Sequence, residues 1–215
     1  LKPAQGSGAV RPIVGTMACA KGGAKGGPIS MHRRLAKEMP MLKAKTLAND
    51  GLAVAEDGYD TAQLANMTEQ VATGRRGGAS AQEAAGFSFV ALLAGPRDCP
   101  FEGGVFRLEV VVPPQYPMAP PKIKFLTRMF HPNVGCQHTP GAICLDILRK
   151  EGWTPALTIE RTLISIASLL ADPNPASPMD AEAARLFEHD RPSYERRVRE
   201  AVRRHATSGG TASAW

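Results

Sequence analysis

The apolar positions change their period along the chain, and each change marks an element. Met31, Leu35, Met39 and Leu42 fall at i, i+4, i+8 and i+11, which lines one face of a helix. Ser30 is placed to cap this helix and Pro40 to end or kink it. Arg33, Arg34 and Lys37 lie off the stripe, toward solvent. A short strand is expected at 51–56, where Leu52 and Val54 alternate with smaller residues. Three stronger runs follow. Residues 87–94 are nearly all apolar and stop at Gly95-Pro96. In 104–112, Phe106, Leu108, Val110 and Val112 alternate with Arg107 and Glu109, and Pro113-Pro114 ends the run. In 122–127, Ile123 and Phe125 share one face, Lys122 and Lys124 the other. Apolar runs separated by turn-rich joints predict an antiparallel meander with one buried and one solvated face.

Helical spacing returns late in the chain. Thr158 is a cap for a helix carrying Leu163, Ile166, Ala167 and Leu170. Asp180 starts another, with Ala184 and Phe187 turned inward. Pro192 suits the first turn of a last helix, along which Tyr194, Val198, Ala201, Val202 and His205 recur. A helix, then strands, then helices is an α+β layout, with the helices gathered on one face or end of the sheet. No internal repeat is visible.

Three stretches break the pattern. Residues 1–29 hold seven glycines, four Lys or Arg and no acid, and read as a flexible basic extension. Residues 57–86 are polar and glycine-rich around Gly74-Arg75-Arg76-Gly77-Gly78; a loop this long inside a domain reads as an insertion. The 207–215 tail is Gly, Ser and Ala-rich and is expected to fray. This leaves 30–206 as the folded core.

Composition narrows the class. The 215 residues, 43% hydrophobic and 21% charged, suit one globular domain with appendages. The net charge of +6 is too small and too scattered to argue for nucleic acid. No run reaches the roughly 18 apolar residues of a membrane span; the best, 163–171, is short and carries two serines. Cys19, Cys99, Cys136 and Cys144 form no CxxC pair and have no His at zinc-like spacing, so a zinc site is not expected. Four cysteines in this length are no disulfide framework, which points to a reducing compartment, cytoplasmic or nuclear. The chain opens on Leu1 rather than Met, so its natural start stays open.

The candidate chemistry lies in the irregular segment 128–157. Cys144 follows His131-Pro132-Asn133, and Cys, His and Asn together suggest thiol nucleophilic catalysis. A papain-like arrangement would draw the three from distant parts of a chain, whereas here they share fourteen residues. The proline restricts His131 to an extended backbone, better suited to bonding its own loop than to moving protons. On residue type alone, Cys144 also reads as an ordinary small core residue.

The ordered string of motifs goes further. His131-Pro132-Asn133, then Cys144 in Gly141-Ala142-Ile143-Cys144-Leu145-Asp146, then Trp153-Thr154-Pro155-Ala156 resembles the ubiquitin-conjugating enzymes. So do Tyr116-Pro117-Met118-Ala119-Pro120-Pro121-Lys122 and Phe101-Glu102-Gly103-Gly104-Val105-Phe106 upstream, and Asp172-Pro173-Asn174-Pro175 and Tyr194-Glu195-Arg196-Arg197-Val198 downstream. The likeness covers about residues 30–206, broken near 57–86. It implies the UBC fold: an N-terminal helix, a four-stranded antiparallel meander, an active-site loop and C-terminal helices. It also implies a transferase that takes ubiquitin from an activating enzyme as a thioester on Cys144. The ubiquitin then passes to a substrate lysine, usually with a ligase of the RING or HECT type. No cofactor is implied, ATP being used by the activating enzyme.

By the same likeness Asn133 supplies an oxyanion-binding or loop-ordering amide and His131 holds the loop. Asp146 belongs to the catalytic segment, and Ser177 stands where many members carry an acidic gate. The first helix, with Arg33 and Arg34, meets the activating enzyme and the ligase; Met118 with Pro155 and Ala156 forms the apolar ligase patch. The chain departs from the pattern in the ten residues between Asn133 and Cys144, which include Cys136 and His138, and in Gly152, which lengthens the run before Trp153. Redox pairing of Cys136 with Cys144 is conceivable, an incidental free thiol the simpler reading. The alternatives are a conjugating enzyme for another ubiquitin-like modifier and, ranked lower, a non-catalytic UBC-like binding module.

Overall fold

A computed structural model of the chain describes residues 28–55 and 86–207. The expected 57–86 insertion up to residue 85, nearly all of the 1–29 extension and the tail past Thr207 lie outside the described residues. Helices α1 (Pro28–Lys43) and α2 (Leu47–Asp50) come first. Strands β1 (Leu52–Val54), β2 (Phe87–Ala94), β3 (Val105–Val112) and β4 (Lys122–Phe125) follow. A 3-10 turn, Asp146–Leu148, interrupts the long loop. Helices α3 (Ile159–Ala171), α4 (Ala181–His189) and α5 (Arg191–His205) close the fold.

The four strands pair antiparallel in the order β1-β2-β3-β4, the α+β meander that the alternation predicts. Register puts Phe106 opposite Leu93, Leu108 opposite Ala91, Val110 opposite Phe89 and Val112 opposite Phe87, all buried. The period of two sends Lys124 and Glu109 to the other face, where they sit opposite each other and form an ion pair at 2.9 Å. Helix α3 packs on β2, and α1 packs on β1 and α3. Thr158 and Asp180 accept from the backbone N–H of Arg161 and Ala183, capping α3 and α4 as their sequence positions suggest.

Several local expectations need correction. Helix α1 is already formed at Pro28, the first described residue, ahead of the cap expected at Ser30. It also runs through Pro40 to Lys43. Pro40 is on the exposed side, where water can serve the carbonyl left without a partner, while Met39 and Leu42 hold the last turn in the core. Helix α2 was not expected. Thr46 caps it and Gly51, at φ +67, ends it in the left-handed conformation that glycine adopts without a Cβ clash. Ala184 is buried as expected, whereas Phe187 is only half-buried: Ala183 and Leu186 join Ala184 on the inner face, and the Phe187 ring lies edge-on to Tyr194 under the Arg191 guanidinium.

The largest correction concerns the polar face of α1. Glu38 is buried, and its carboxylate accepts from the Tyr116 hydroxyl at 2.9 Å, the Ile159 N–H at 2.9 Å and the Arg34 Nε–H. Arg34 is therefore no freely solvated residue. It is half-buried, and its Nη2 donates to the Leu157 carbonyl at 3.1 Å. Burial, reinforced by the charge of Glu38, pushes the Tyr116 hydroxyl far above its ordinary pKa, so it remains a donor. One carboxylate thus ties α1 to the proline-rich loop after β3 and to the first turn of α3.

Candidate active site

The segment after β4 is held to the sheet edge by its backbone. The Phe125 N–H donates to the Gly141 carbonyl at 2.8 Å, and Lys124 bridges Ala142. Residues 134–143 double back as a short hairpin. Val134 bridges Ile143, Gly135 N–H reaches the Ala142 carbonyl at 2.9 Å, and Cys144 N–H reaches the Asn133 carbonyl at 2.9 Å. The enlarged loop is thereby absorbed in an exposed turn, 137–140, beyond the hairpin. Gly135 makes that turn possible: a Cβ there would stand 2.2 Å from the Thr139 carbonyl oxygen.

This register places Cys144 opposite Asn133 and Cys136 opposite Gly141. Three positions along a strand are about 10 Å, well past the roughly 7 Å limit for a disulfide. Pairing of Cys136 with Cys144 is accordingly ruled out in this conformation, and both are free thiols. Burial, and then the nearby Asp180, raise the Cys136 thiol pKa.

His131 and Asn133 are fully buried behind the cysteine. The His131 Nε2 lies 3.0 Å from the Leu169 carbonyl, and its Nδ1 accepts the Asn133 N–H at 3.0 Å. These partners fix the tautomer: Nε2 carries the proton and Nδ1 has none to give. Burial pulls the His131 pKa down to about 4, so the ring is neutral at physiological pH. The Asn133 side chain bonds to a single loop. Its Nδ2 donates to the carbonyls of Asn174 at 2.6 Å and Ser177 at 3.1 Å, and its Oδ1 accepts the Asn174 N–H at 2.8 Å. Both amide hydrogens are thus engaged, and the amide fastens residues 174–177 against the cysteine loop.

The sulfur itself is open. Ile143, Cys144, Arg149, Ser177, Pro178 and Met179 line a cavity of about 320 Å³. The Arg149 Nη2 lies 3.2 Å from the Cys144 Sγ. Sequence reasoning missed Arg149; the one available signal was a base five residues after the cysteine, where an apolar run ends. Its backbone is firmly placed. The Arg149 N–H donates to the Asp146 carbonyl at 2.8 Å, and its carbonyl accepts from Gly152 at 3.2 Å and Trp153 at 3.0 Å. Gly152 belongs to this turn for a steric reason, since a Cβ on it would stand 2.4 Å from the Asp146 carbonyl oxygen. The Asp146 carboxylate is exposed, accepts the Ile147 N–H at 2.7 Å and does not line the cavity. Ser177 does line it.

The expected docking residues lie elsewhere. Met118 is 55% exposed. The Trp153 indole N–H donates to the Pro117 carbonyl at 2.7 Å, tying the residue before Met118 to the segment that carries exposed Pro155 and Ala156. Arg33 is exposed, whereas Arg34 is committed to Glu38 and Leu157. Among the described residues, no group of three or more His, Cys, Asp or Glu side chains could hold a metal, and no helix is long and apolar enough to cross a membrane.

The neutral His131 yields a pH prediction. Its pKa is near 6.5 in the unfolded chain and about 4 in the fold. Above pH 6.5 neither state is protonated there. As pH falls from 6.5 toward 4 the unfolded chain binds the proton first, and stability falls by up to about 3 kcal/mol. Urea unfolding of native protein and His131→Asn at pH 7 and pH 4 should show the steeper loss in the native protein; equal losses would contradict the buried neutral ring.

The comparisons with known proteins converge. The family model for ubiquitin-conjugating enzyme matches residues 61–202. A Plasmodium yoelii protein, provisionally assigned as a ubiquitin conjugating enzyme, has a crystal structure that is 31% identical in sequence. The match covers 83% of this chain and 96% of that one, with a TM-score of 0.63. The E2 domain of a Toxoplasma gondii ubiquitin conjugating enzyme is 34% identical, over 81% of this chain and 99% of that one, with a TM-score of 0.60. With its four-stranded meander, flanking helices and family match, this chain belongs to the ubiquitin-conjugating enzyme family.

Proposed function

We propose that the protein carries ubiquitin as a thioester on Cys144 and transfers it to substrate lysines. The observation that carries this reading is the Cys144 sulfur, open on a cavity while the backbone around it is fixed by buried His131 and Asn133. In charging, the Cys144 thiolate attacks the thioester carbonyl carbon presented by the activating enzyme, whose own thiolate leaves. ATP is consumed by that enzyme, and no cofactor is assigned to this one. In discharge, a neutral lysine amine attacks the same carbonyl, the C–S bond breaks, and sulfur leaves as thiolate. The amine proton passes to solvent.

Placement supports a role for each site residue. His131, neutral and bonded at both nitrogens, positions the loop and transfers no proton. Asn133 is a clamp on residues 174–177, because an oxyanion would have to displace the Asn174 or Ser177 carbonyl from its amide. Ser177 borders the path of the incoming amine, and Asp146 shapes the turn that carries Arg149. A free thiol nucleophile requires a reducing compartment, which supports the cytoplasm and nucleus.

Incubating the protein with activating enzyme, ATP and each modifier in turn tests the reading on non-reducing gels. A reducible adduct with ubiquitin is expected. An adduct with a different modifier alone would overturn the choice of ubiquitin, and no adduct at all would overturn the enzyme.

Met118, Pro155 and Ala156 offer a ligase of the RING or HECT type an apolar patch whose spacing is held by the Trp153 bond. Met118→Ala should reduce ligase-stimulated discharge about tenfold while leaving unstimulated discharge unchanged, as expected for a central interface side chain worth 1–2 kcal/mol. Unchanged stimulation would remove Met118 from the docking surface.

A further inference from the structure

Arg149 is the one charged residue among the six that line the thiol cavity. Ser177, in the same lining, is neutral. The acidic side chain nearest in sequence, Asp146, is turned onto the Ile147 N–H and does not line the cavity. A group approaching the Cys144 sulfur therefore meets one positive charge, 3.2 Å from that atom, with no carboxylate in the lining to offset it.

The Arg149 guanidinium lies beside the sulfur that an acceptor must approach. The Arg149 backbone is pinned on both sides, by the Asp146 carbonyl and by the N–H groups of Gly152 and Trp153. Arginine keeps its charge at any physiological pH, so this field does not titrate away. Acylation turns the sulfur into a neutral, weakly accepting thioester, which loosens its contact with the guanidinium. The guanidinium is then free to pair with an anion brought in by the acceptor.

We propose that Arg149 is a specificity-determining residue that selects acceptor lysines flanked by acidic side chains. This rests on the reading of Cys144 as the thioester carrier. A basic flank would place like charges together beside the thioester, whereas an acidic flank would pair with Arg149 and hold the lysine amine at the carbonyl. The same positive charge disfavours the ammonium form of the incoming lysine, the form that cannot attack.

Two measurements separate this inference from the reading beneath it. The first needs no ubiquitin. Anionic and cationic methanethiosulfonates transfer their thiol group to Cys144 as a mixed disulfide and release methanesulfinate. Rates at Cys144 are followed by peptide mapping and divided by each reagent's rate with a free thiol. An anion preference of about 5–10-fold is expected for the native protein, the size of one favourable, partly screened charge contact. Arg149→Gln should bring it near unity, and Arg149→Glu should invert it. The second measurement discharges pre-charged protein onto peptides bearing one lysine flanked by Glu, Ala or Arg. Glu should be fastest and Arg slowest, with the spread lost in Arg149→Gln. A native protein without anion preference, or a preference that survives Arg149→Gln, would overturn the proposal. Should the preference appear while no thioester ever forms, the enzyme reading fails and the charge selectivity of the cavity stands.

Discussion

Cys144→Ala is expected to abolish the reducible ubiquitin adduct, while Cys99→Ala and Cys136→Ala retain it. Cys144 opens on the cavity beside Arg149. Cys136 stands opposite Gly141 in the hairpin and faces Asp180. Cys99 donates its thiol to the Pro96 carbonyl at 3.0 Å, and burial raises its pKa, which lowers the fraction present as nucleophile. Cys19 lies outside the described residues, and Cys19→Ala is expected to charge normally because it stands in the glycine-rich extension. Loss of a covalent nucleophile is all-or-none here: alanine has no atom to form the thioester, and no other thiol shares the cavity lining. Cys144→Ser distinguishes a folding defect from a chemical one. A seryl ester resists thiol reduction, so a stable adduct that survives reducing gels is expected. Charging that persists as a thiol-sensitive adduct in Cys144→Ala would move the nucleophile elsewhere.

Glu38→Ala is expected to destabilise the fold by about 3 kcal/mol, the range for breaking a buried ionic network by removing one member. The substitution strips a partner from the Tyr116 hydroxyl, from the Ile159 N–H at the start of α3 and from Arg34. Each buried donor left alone adds its desolvation penalty. Tyr116→Phe removes a donor without orphaning a charge and should lose only about 1 kcal/mol. Urea midpoints for the two variants measure the difference. A loss below about 1 kcal/mol in Glu38→Ala would mean that water replaces the missing bonds. Because Arg34 also bonds the Leu157 carbonyl, Glu38→Ala should weaken ligase-stimulated discharge beyond its effect on unstimulated discharge.

The sequence alone determined the elements whose patterns are one-dimensional. Strands β2, β3 and β4 were legible because burial on one face forces a period of two, and the register keeps that alternation. The caps Thr158 and Asp180 were legible because a helix start needs a side-chain acceptor at a fixed offset. The order of His131, Asn133 and Cys144 was legible because the loop joining them is short. Tertiary structure decided what depends on distant partners. Nothing in its spacing singles out Glu38, and only Tyr116 and Ile159, 78 and 121 residues away, make it a buried acceptor. The Asn133 amide hydrogens find their partners, the carbonyls of Asn174 and Ser177, only 41 and 44 residues on. The spacing of Cys136 and Cys144 left pairing conceivable, and the hairpin register sets them too far apart for it. Arg149 gained its meaning from a turn that brings its guanidinium back to the sulfur. Periodicity records which side of an element faces the core; the partner found there is fixed only when the chain closes.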